Sequence, residues 1–178
     1  MLDTIRTLAE LNALFADNGM GGINAQDIRD LMVSINVYGE IGAANKAAIS
    51  LASGWQALDF DAEGLSTRGL NVDTTNKWID QIPVNMEADL TLMVIFKGEA
   101  GRSYDFTVFK DPAGTPSIVN RMTLNNIDGN SEVRAVSWST SISLAANDVL
   151  QAGVRPSAAS SNFELINGVF RVQRKGIE

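Results

Sequence analysis

Acidic side chains offer the best candidates for metal or acid–base chemistry in this sequence. The chain has no histidine and no cysteine, which removes Ser-His-Asp and Cys-His catalytic sites and the common zinc sites. Asp59, Asp61 and Glu63 match the first half of a calcium-binding loop. Leu70 stands where that loop needs its bidentate glutamate. A solvated strand face is therefore the favoured interpretation, and we expect no metal and no cofactor.

Paired carboxylates could also hydrolyse glycosidic bonds. The 21 acidic residues form many such pairs by chance, however, and none lies in a recognisable cleft motif. We therefore predict that the protein is not an enzyme. A small carbohydrate-active enzyme is the alternative that the missing motifs disfavour.

Tryptophan side chains could bind sugars by stacking on their rings. Trp138 belongs to an alternating apolar pattern and is predicted to lie in the core. Trp55 and Trp78 are the candidates for contact with a glycan. Burial in the core is nevertheless the favoured interpretation for both.

Charge and hydropathy restrict the partners. The net charge of −7 argues against nucleic-acid binding, which needs clustered lysine and arginine to displace counterions. The first residues lack the apolar region of a signal peptide. No apolar run approaches the length of a membrane span. We expect neither a nucleic-acid partner nor membrane insertion.

Two helices are predicted at the front of the chain. Ile5, Leu8, Leu11 and Phe15 recur at the spacing of one helix face. The pair Asn18-Gly19 then provides a C-terminal stop.

The second helix has a well-specified beginning. Asn24 can cap it, with Asp27 three residues further on. Ile23 can pack against Ile28 across the first turn. Asp30 is expected on the face opposite the apolar stripe. That stripe consists of Ile28, Leu31, Met32 and Ile35.

Residues 1–37 are too few to bury a core by themselves. We therefore predict a helical docking or trimerisation module, whose contacts are the apolar residues of both helices and Ile23. The alternative is a helix pair that simply packs against the strand domain of its own chain.

The remainder of the sequence changes to a period of two. Residues 38–54 are rich in small side chains and are interpreted as a linker. Residues 55–178 are predicted to form eight or nine antiparallel strands in a jelly-roll β-sandwich, so that the chain is mostly β. Val136 to Leu144 alternates as one half-buried strand, and Leu90–Phe96 is predicted to be central and covered on both sides.

A hairpin is predicted at the end of the chain, with Asn167-Gly168 as its two-residue turn. In that register Ile166 faces Val169, and Glu164 faces Arg171. The four residues that would share the apolar face are Phe163, Leu165, Phe170 and Val172.

The segment from Leu8 to Ile35 resembles a short N-terminal module of many tailed-bacteriophage virion proteins. That module has a leucine-rich helix, a glycine turn and a second helix with a characteristic beginning. The residues that match this beginning are Ile23, Asn24, Asp27, Ile28, Arg29 and Asp30.

The C-terminal part resembles the trimeric jelly-roll heads of the complement and tumour-necrosis-factor-like family. The match lies in the strand from Val136 to Leu144, a tight turn, and the strand that follows Asp148. Asn147 replaces the usual glycine before that aspartate and tolerates the same turn backbone.

Together the two resemblances imply a phage structural protein that forms a homotrimer and resides in the virion after assembly in the host cytoplasm. Its helices would dock on other virion proteins while the jelly roll projects outward, as in a capsid decoration protein or head fibre. The alternative is a tail-fibre or tail-tip protein that binds a host surface glycan.

Overall fold

The computed structural model describes residues 4–15, 25–64, 69–113, 116–125, 127–129 and 132–175. Within these residues the chain is mostly β, as predicted, although short strands raise the strand number above the expected eight or nine. The two helices are α1 (Leu8–Phe15) and α2 (Ala25–Ile35). The strands are β1 (Tyr38–Ala44), β2 (Ile49–Leu51), β3 (Gln56–Ala57), β4 (Ala62–Glu63), β5 (Asn71–Asp73), β6 (Trp78–Asp80), β7 (Met86–Gly98), β8 (Tyr104–Lys110), β9 (Ser117–Leu124), β10 (Val133–Leu144), β11 (Leu150–Pro156) and β12 (Ser161–Arg174).

The strands form two six-stranded antiparallel sheets. In the first, called the β12 sheet, the order is β10-β7-β12-β1-β4, with β2 also paired to β12. In the second, called the β11 sheet, the order is β5-β6-β11-β8-β9, with β3 also paired to β11. The apolar inner faces of both sheets supply one shared core, which is the sandwich arrangement that the sequence predicts.

Aromatic rings fill one part of this core. Phe96 lies 5.1 Å from Phe106, 5.3 Å from Tyr104 and 5.2 Å from Phe163, measured between ring centroids. The hydroxyl of Tyr104 donates a hydrogen bond to the Asn162 carbonyl oxygen at 2.6 Å. The polar end of this buried tyrosine is therefore satisfied.

Strand β7 is central, as predicted, but it is not covered on both sides. Its buried residues alternate with residues that face outward, and Met93 on the outer side is 46% exposed. An antiparallel sheet in a two-layer sandwich buries only one face. The continuous apolar run therefore places apolar side chains on the surface as well as in the core.

The C-terminal hairpin prediction is wrong. Strand β12 runs without interruption through Asn167 and Gly168, and it pairs with β7 on one side and β1 on the other. Gly168 is required by packing rather than by a turn, since a Cβ atom there would lie 2.6 Å from the Phe60 ring.

A β-bulge explains why the predicted apolar face is nevertheless correct. Leu165 lies opposite Phe96 and Asn167 lies opposite Ile95, so Ile166 is the extra residue. The extra residue shifts the alternation of inward and outward side chains by one position. Both halves of β12 therefore point their apolar side chains to the same side of the sheet. The buried residues include all four that the hairpin register grouped together: Phe163, Leu165, Phe170 and Val172.

The predicted Glu164–Arg171 pair does not form, because both residues belong to one strand. Glu164 instead contacts Lys97 of β7 at 3.0 Å. Arg171 contacts Glu40 of β1 at 2.7 Å. Each cross-strand ion pair thus joins β12 to a different neighbour.

Residues 38–54, interpreted as a linker, contain β1 and β2, and both strands pair with β12. The small side chains allow close strand approach instead of conferring flexibility. A Cβ atom on Gly42 would lie 2.5 Å from the Gly168 carbonyl oxygen. Much of this segment is therefore part of the sheet.

The turn before β11 is confirmed. Asn147 has a φ of 68°, the left-handed conformation that asparagine tolerates. The Asp148 carboxylate accepts a hydrogen bond from the Ala145 amide at 2.7 Å and pairs with Lys110 at 2.6 Å.

Candidate functional site

Helix α2 buries the side that lies opposite its apolar stripe. Its buried residues are Asp27, Asp30 and Ser34, and Asp30, which was predicted to lie opposite the apolar stripe, is only 1% exposed. Buried acids are stable only when they are paired and hydrogen-bonded. The contacts of Asp30 therefore determine which side of α2 faces the rest of the chain.

Asp30 is surrounded by donors from the segment before α1 and from its own helix. Its carboxylate accepts hydrogen bonds from the Thr4 amide at 2.8 Å and from Gln26 Nε2 at 2.6 Å. The Arg6 guanidinium contacts the other carboxylate oxygen through Nε at 2.8 Å and a terminal nitrogen at 2.7 Å. A polar cluster thus occupies the buried side of α2.

Arg174, near the end of β12, joins this cluster to the sandwich. Its Nη1 donates to the Arg6 carbonyl oxygen at 2.9 Å and to the Ser34 carbonyl oxygen at 2.6 Å. Ser34 Oγ in turn accepts from the Arg6 amide at 2.7 Å. Hydrogen bonds from Arg174 therefore attach the helix pair to its own β-domain.

The apolar stripe of α2 consequently points away from the β-domain. Ile28, Met32 and Ile35 are 44%, 55% and 42% exposed. Leu31 is half-buried. These four residues are called the anchor face, and they include all the α2 residues that the sequence marked as docking contacts.

The other predicted docking residues are placed differently. Ile5 packs against the core of the β-domain and Leu11 is buried, so both serve intramolecular packing. Phe15 is half-buried at the end of α1. Leu8 begins α1, but its side chain, like Ile23 as a whole, lies outside the part of the chain that the structure describes.

The outer side of the β12 sheet presents a second surface. Two neighbouring rows of side chains cross four strands there without a charged group, as the strand registers show. They are called the uncharged face. The first row consists of Ser137, Met93, Val169 and Gly42, and the second of Ala135, Ile95, Asn167 and Ala44.

The outer side of the β11 sheet carries a third surface, centred on Trp55. This residue is half-buried and makes an edge contact with Phe109 at 5.4 Å between centroids. The Arg155 guanidinium lies over the indole at 4.7 Å. Trp55 therefore belongs to the surface of the sandwich and not to its core.

Arg155 is part of a charged cluster around Asp105. The Asp105 carboxylate lies 2.6 Å from Arg155, 3.3 Å from Arg121 and 2.5 Å from the Thr123 hydroxyl. Burial raises the pKa of Asp105, but hydrogen bonds from Thr123 and Arg155 and the two arginine charges outweigh it, so the net pKa is lowered. This cluster lines a cavity of about 430 Å³.

The protein is similar to known proteins in structure. No protein-family model matches the sequence, and no curated protein matches it. The structure of Eiger TNF from S. frugiperda is similar, with a TM-score of 0.60, 9% identity, and 80% of this chain and 95% of that chain covered. Murine APRIL at pH 5.0 gives a TM-score of 0.55 at 11% identity, with 76% and 98% covered.

The chain has the tumour-necrosis-factor-like jelly-roll fold. A second structure of murine APRIL, at pH 8.0, agrees, with a TM-score of 0.55, 12% identity, and 76% and 98% of the chains covered. The fold that the strand–turn–strand resemblance predicted is thus confirmed. Structural similarity at such low sequence identity shows the fold alone. The function has to be inferred from the surfaces of the protein.

The acidic residues that resembled a calcium loop are largely paired with lysine. Asp59 contacts both Lys46 and Lys77, and Asp61 contacts Lys46. The hydrogen bond from Lys77 is the main reason that the pKa of Asp59 is lowered. Glu63 is exposed on β4, and the described residues contain no group of three acids that could hold a metal ion.

The other two tryptophans are also half-buried. Trp78 is half-buried on β6, and Trp138 packs against the core from β10. In both, the indole nitrogen is buried without a hydrogen-bond partner among the described residues. Trp55 lies next to β3 and Trp78 begins β6, and these two strands pair with different residues of β11.

Helices long and apolar enough to cross a membrane are absent from the described part of the chain.

Asp30 makes the attachment of the helix pair sensitive to acid. The hydrogen bond from the Thr4 amide is the largest of the contacts that lower its pKa below the ordinary value of 3.8. A lowered pKa contributes stability that is present above 3.8 and lost as the pH falls through the folded value. We expect the Thr4 amide resonance, followed by NMR, to titrate with a midpoint below 3.8.

The control variants for this titration are Asp30→Asn, which should abolish it, and Asp73→Asn, which should leave it unchanged. Asp73 also accepts backbone hydrogen bonds, but within its own turn. A Thr4 midpoint above 3.8 would contradict the stabilising role of these contacts.

Proposed function

We propose that this protein is a non-enzymatic structural protein of a bacteriophage virion, a homotrimer that decorates the capsid or forms a head fibre. The helix pair attaches it to other virion proteins and the jelly roll projects outward. The observation that carries the proposal is the anchor face, an apolar helix surface turned away from the chain's own core.

The anchor face supports attachment to another virion protein, because polar contacts on the opposite side of α2 keep it exposed. Asp30 and Ser34 bind α2 to the segment before α1, and the Ser34 carbonyl oxygen accepts a hydrogen bond from Arg174 of the β-domain, which leaves the apolar side available. Exposed apolar surface of this kind is typical of interaction sites. A helix stripe with spacings of three and four residues suits insertion into an apolar groove.

The homotrimer is supported by the fold and by the uncharged face. Resemblance to trimeric jelly-roll heads supplies the expectation of three copies. On the uncharged face, apolar and small polar side chains such as Met93 and Ser137 lie next to each other. Identical copies can pack such surfaces together without placing like charges in contact.

The phage assignment is supported by the N-terminal motif. Asp27 to Asp30 lie in the first turns of α2, where the resembling virion modules have their characteristic residues. Asp30 also makes the central hydrogen bonds of the helix pair, which gives this acidic position a physical role.

Light scattering tests the oligomer directly. We expect a mass three times the chain mass of 19.1 kDa, and we expect Met93→Arg to reduce it to the monomer, since it introduces a like charge into every copy of the interface. Ile118→Arg is the control, because Ile118 is similarly exposed but lies on β9 of the other sheet. A stable wild-type monomer at micromolar concentration would contradict the trimer.

Electron cryo-microscopy of purified particles tests the location. Density for the jelly roll on the outer capsid surface is the expected result. Density at the tail tip would instead favour a tail-fibre function, and absence from the particle would refute the virion assignment.

A second function, binding of a host surface glycan, is favoured by one observation. Trp55 lies at the surface, lines a cavity and has a guanidinium over its ring, a setting typical of sugar-binding sites. Trp78 was the other candidate, and its position supports this function less. A displayed trimer would present three copies of the Trp55 site.

A further inference from the structure

We propose that the surface around Trp55 and Asp105 binds an acidic saccharide, with the sugar carboxylate on Arg121 and Arg155 and an adjoining sugar ring against Trp55. This inference rests on the second function proposed above, glycan binding, and specifies its ligand class. The set formed by Trp55, Asp105, Arg121 and Arg155 is called the acid-sugar pocket.

The charge of the acid-sugar pocket favours a single negative group. Two arginines surround one carboxylate, which leaves one positive charge in excess on a chain whose net charge is −7. Asp105 is buried, so it acts as a fixed support for the guanidiniums. A monoanion neutralises the excess charge, whereas a dianion such as a phosphate monoester would be repelled by Asp105.

The geometry of the donors favours a carboxylate. Guanidinium groups are planar and match carboxylate oxygens in pairs. Arg155 directs Nε and one terminal nitrogen at a single oxygen of Asp105. Arg121 is about half exposed on β9 and contacts the same oxygen through one nitrogen. Its guanidinium can therefore turn toward a ligand without leaving the cluster.

Hydroxyl groups and an aromatic wall complete the pocket. The cavity beside Asp105 has a volume of about 430 Å³, and its hydroxyl-bearing lining residues are Ser53, Ser103, Thr123 and Ser157. Sugar hydroxyls exchange hydrogen bonds with groups of this kind.

A second cavity of about 210 Å³ lies on the Trp55 side, next to Phe109 and Gln151. Arg155 links the two cavities, because it lines the first and lies over the Trp55 ring. A saccharide of two or more rings can therefore place its acid in the first cavity and a neighbouring ring in the second.

Calorimetry with the full chain and sialyllactose tests the proposal. The comparison ligands are the methyl ester of the same trisaccharide, neutral lactose and sulfated lactose. We expect the methyl ester to bind about tenfold more weakly or worse, since it loses a charge-assisted contact. Arg121→Gln should weaken the acid to a similar extent without changing the affinity for the ester.

Two further variants separate the contribution of the Trp55 ring to the affinity from that of the arginine charges. Trp55→Ala should weaken the acid and the ester alike, because it removes the ring contact. Arg134→Gln is the matched control, since Arg134 pairs with Asp128 and Glu132 and not with Asp105, and it should leave both affinities unchanged. Thermal unfolding of each variant verifies that the fold is intact.

The outcomes that overturn the proposal are distinct from one another. Equal binding of acid and ester, lost in Trp55→Ala, would keep glycan binding and refute the acidic ligand. Binding of sulfated lactose without sialyllactose would refute the carboxylate. No binding of any of the four saccharides would refute both the acidic ligand and glycan binding at this surface.

Discussion

Replacing Ile28, Met32 and Ile35 together by serine should release the protein from the particle and leave the jelly roll folded. Each side chain is 42–55% exposed, so docking removes about half of its surface from water. At about 1.5–3 kcal/mol for a fully buried side chain, the three together contribute roughly 3 kcal/mol per copy. That corresponds to roughly a hundredfold in affinity, and simultaneous attachment of three copies would multiply the loss.

The matched control replaces two isoleucines and one methionine of the β-domain that are similarly exposed: Ile49, Ile118 and Met122. Occupancy of the variant on purified particles is the measurement, with circular dichroism to compare the folds. We expect the control to occupy particles as the wild type does. Full occupancy by the anchor-face variant would show that the helices do not attach the protein to the particle. Equal loss of occupancy in both variants would show that exposed apolar side chains in general, and not the anchor face, are responsible for attachment.

The fold could be predicted from the sequence where the alternation of apolar and polar residues matches the alternation of buried and exposed side chains. The alternation from Val136 to Leu144 reports one inner and one outer face, and the structure has both. The run Leu90–Phe96 was ambiguous, because an apolar outer side chain such as Met93 gives the same pattern as a second buried face.

The β12 error has a physical origin that local sequence does not reveal. Asn-Gly is the preferred tight turn, but the choice between a turn and a continuous strand was decided by distant groups. Phe60 occupies the space above Gly168, and β1 pairs with residues 167–173 along one side of β12. Neither contact can be read from residues 161–174 alone.

The anchor face could be predicted from the sequence, whereas the cluster around Asp105 could not. The α2 stripe was found from its spacing, while the direction in which it points depends on the contacts of Asp30 with the segment before α1. The Thr7–Glu10 reciprocal hydrogen bonds at the start of α1 were a readable capping signal that the sequence interpretation missed. By contrast, Asp105 and Arg155 come together only through β8–β11 pairing.

Arg174→Met should detach the helix pair from the β-domain while the sandwich core remains folded. Methionine keeps the apolar stem but removes the hydrogen bonds to the carbonyl oxygens of Arg6 and Ser34. Hydrogen bonds from charged groups contribute about 1.5–3 kcal/mol each, and Arg174 is only 7% exposed. We expect the attachment to lose about 3 kcal/mol and amide exchange at Thr4 and Arg6 to accelerate about a hundredfold.

Arg171→Met is the control on the opposite face of the same strand. Arg171 pairs with Glu40 at the surface, so its loss should cost at most about 1 kcal/mol and leave exchange at Thr4 and Arg6 unchanged. Equal acceleration in the helices and in β7 after Arg174→Met would mean that helices and sandwich unfold as one unit. Selective acceleration in the helices would mean that a buried arginine sets the orientation of the anchor face, because the hydrogen bond that attaches Ser34 of α2 to Arg174 also keeps the apolar side of the helix outward.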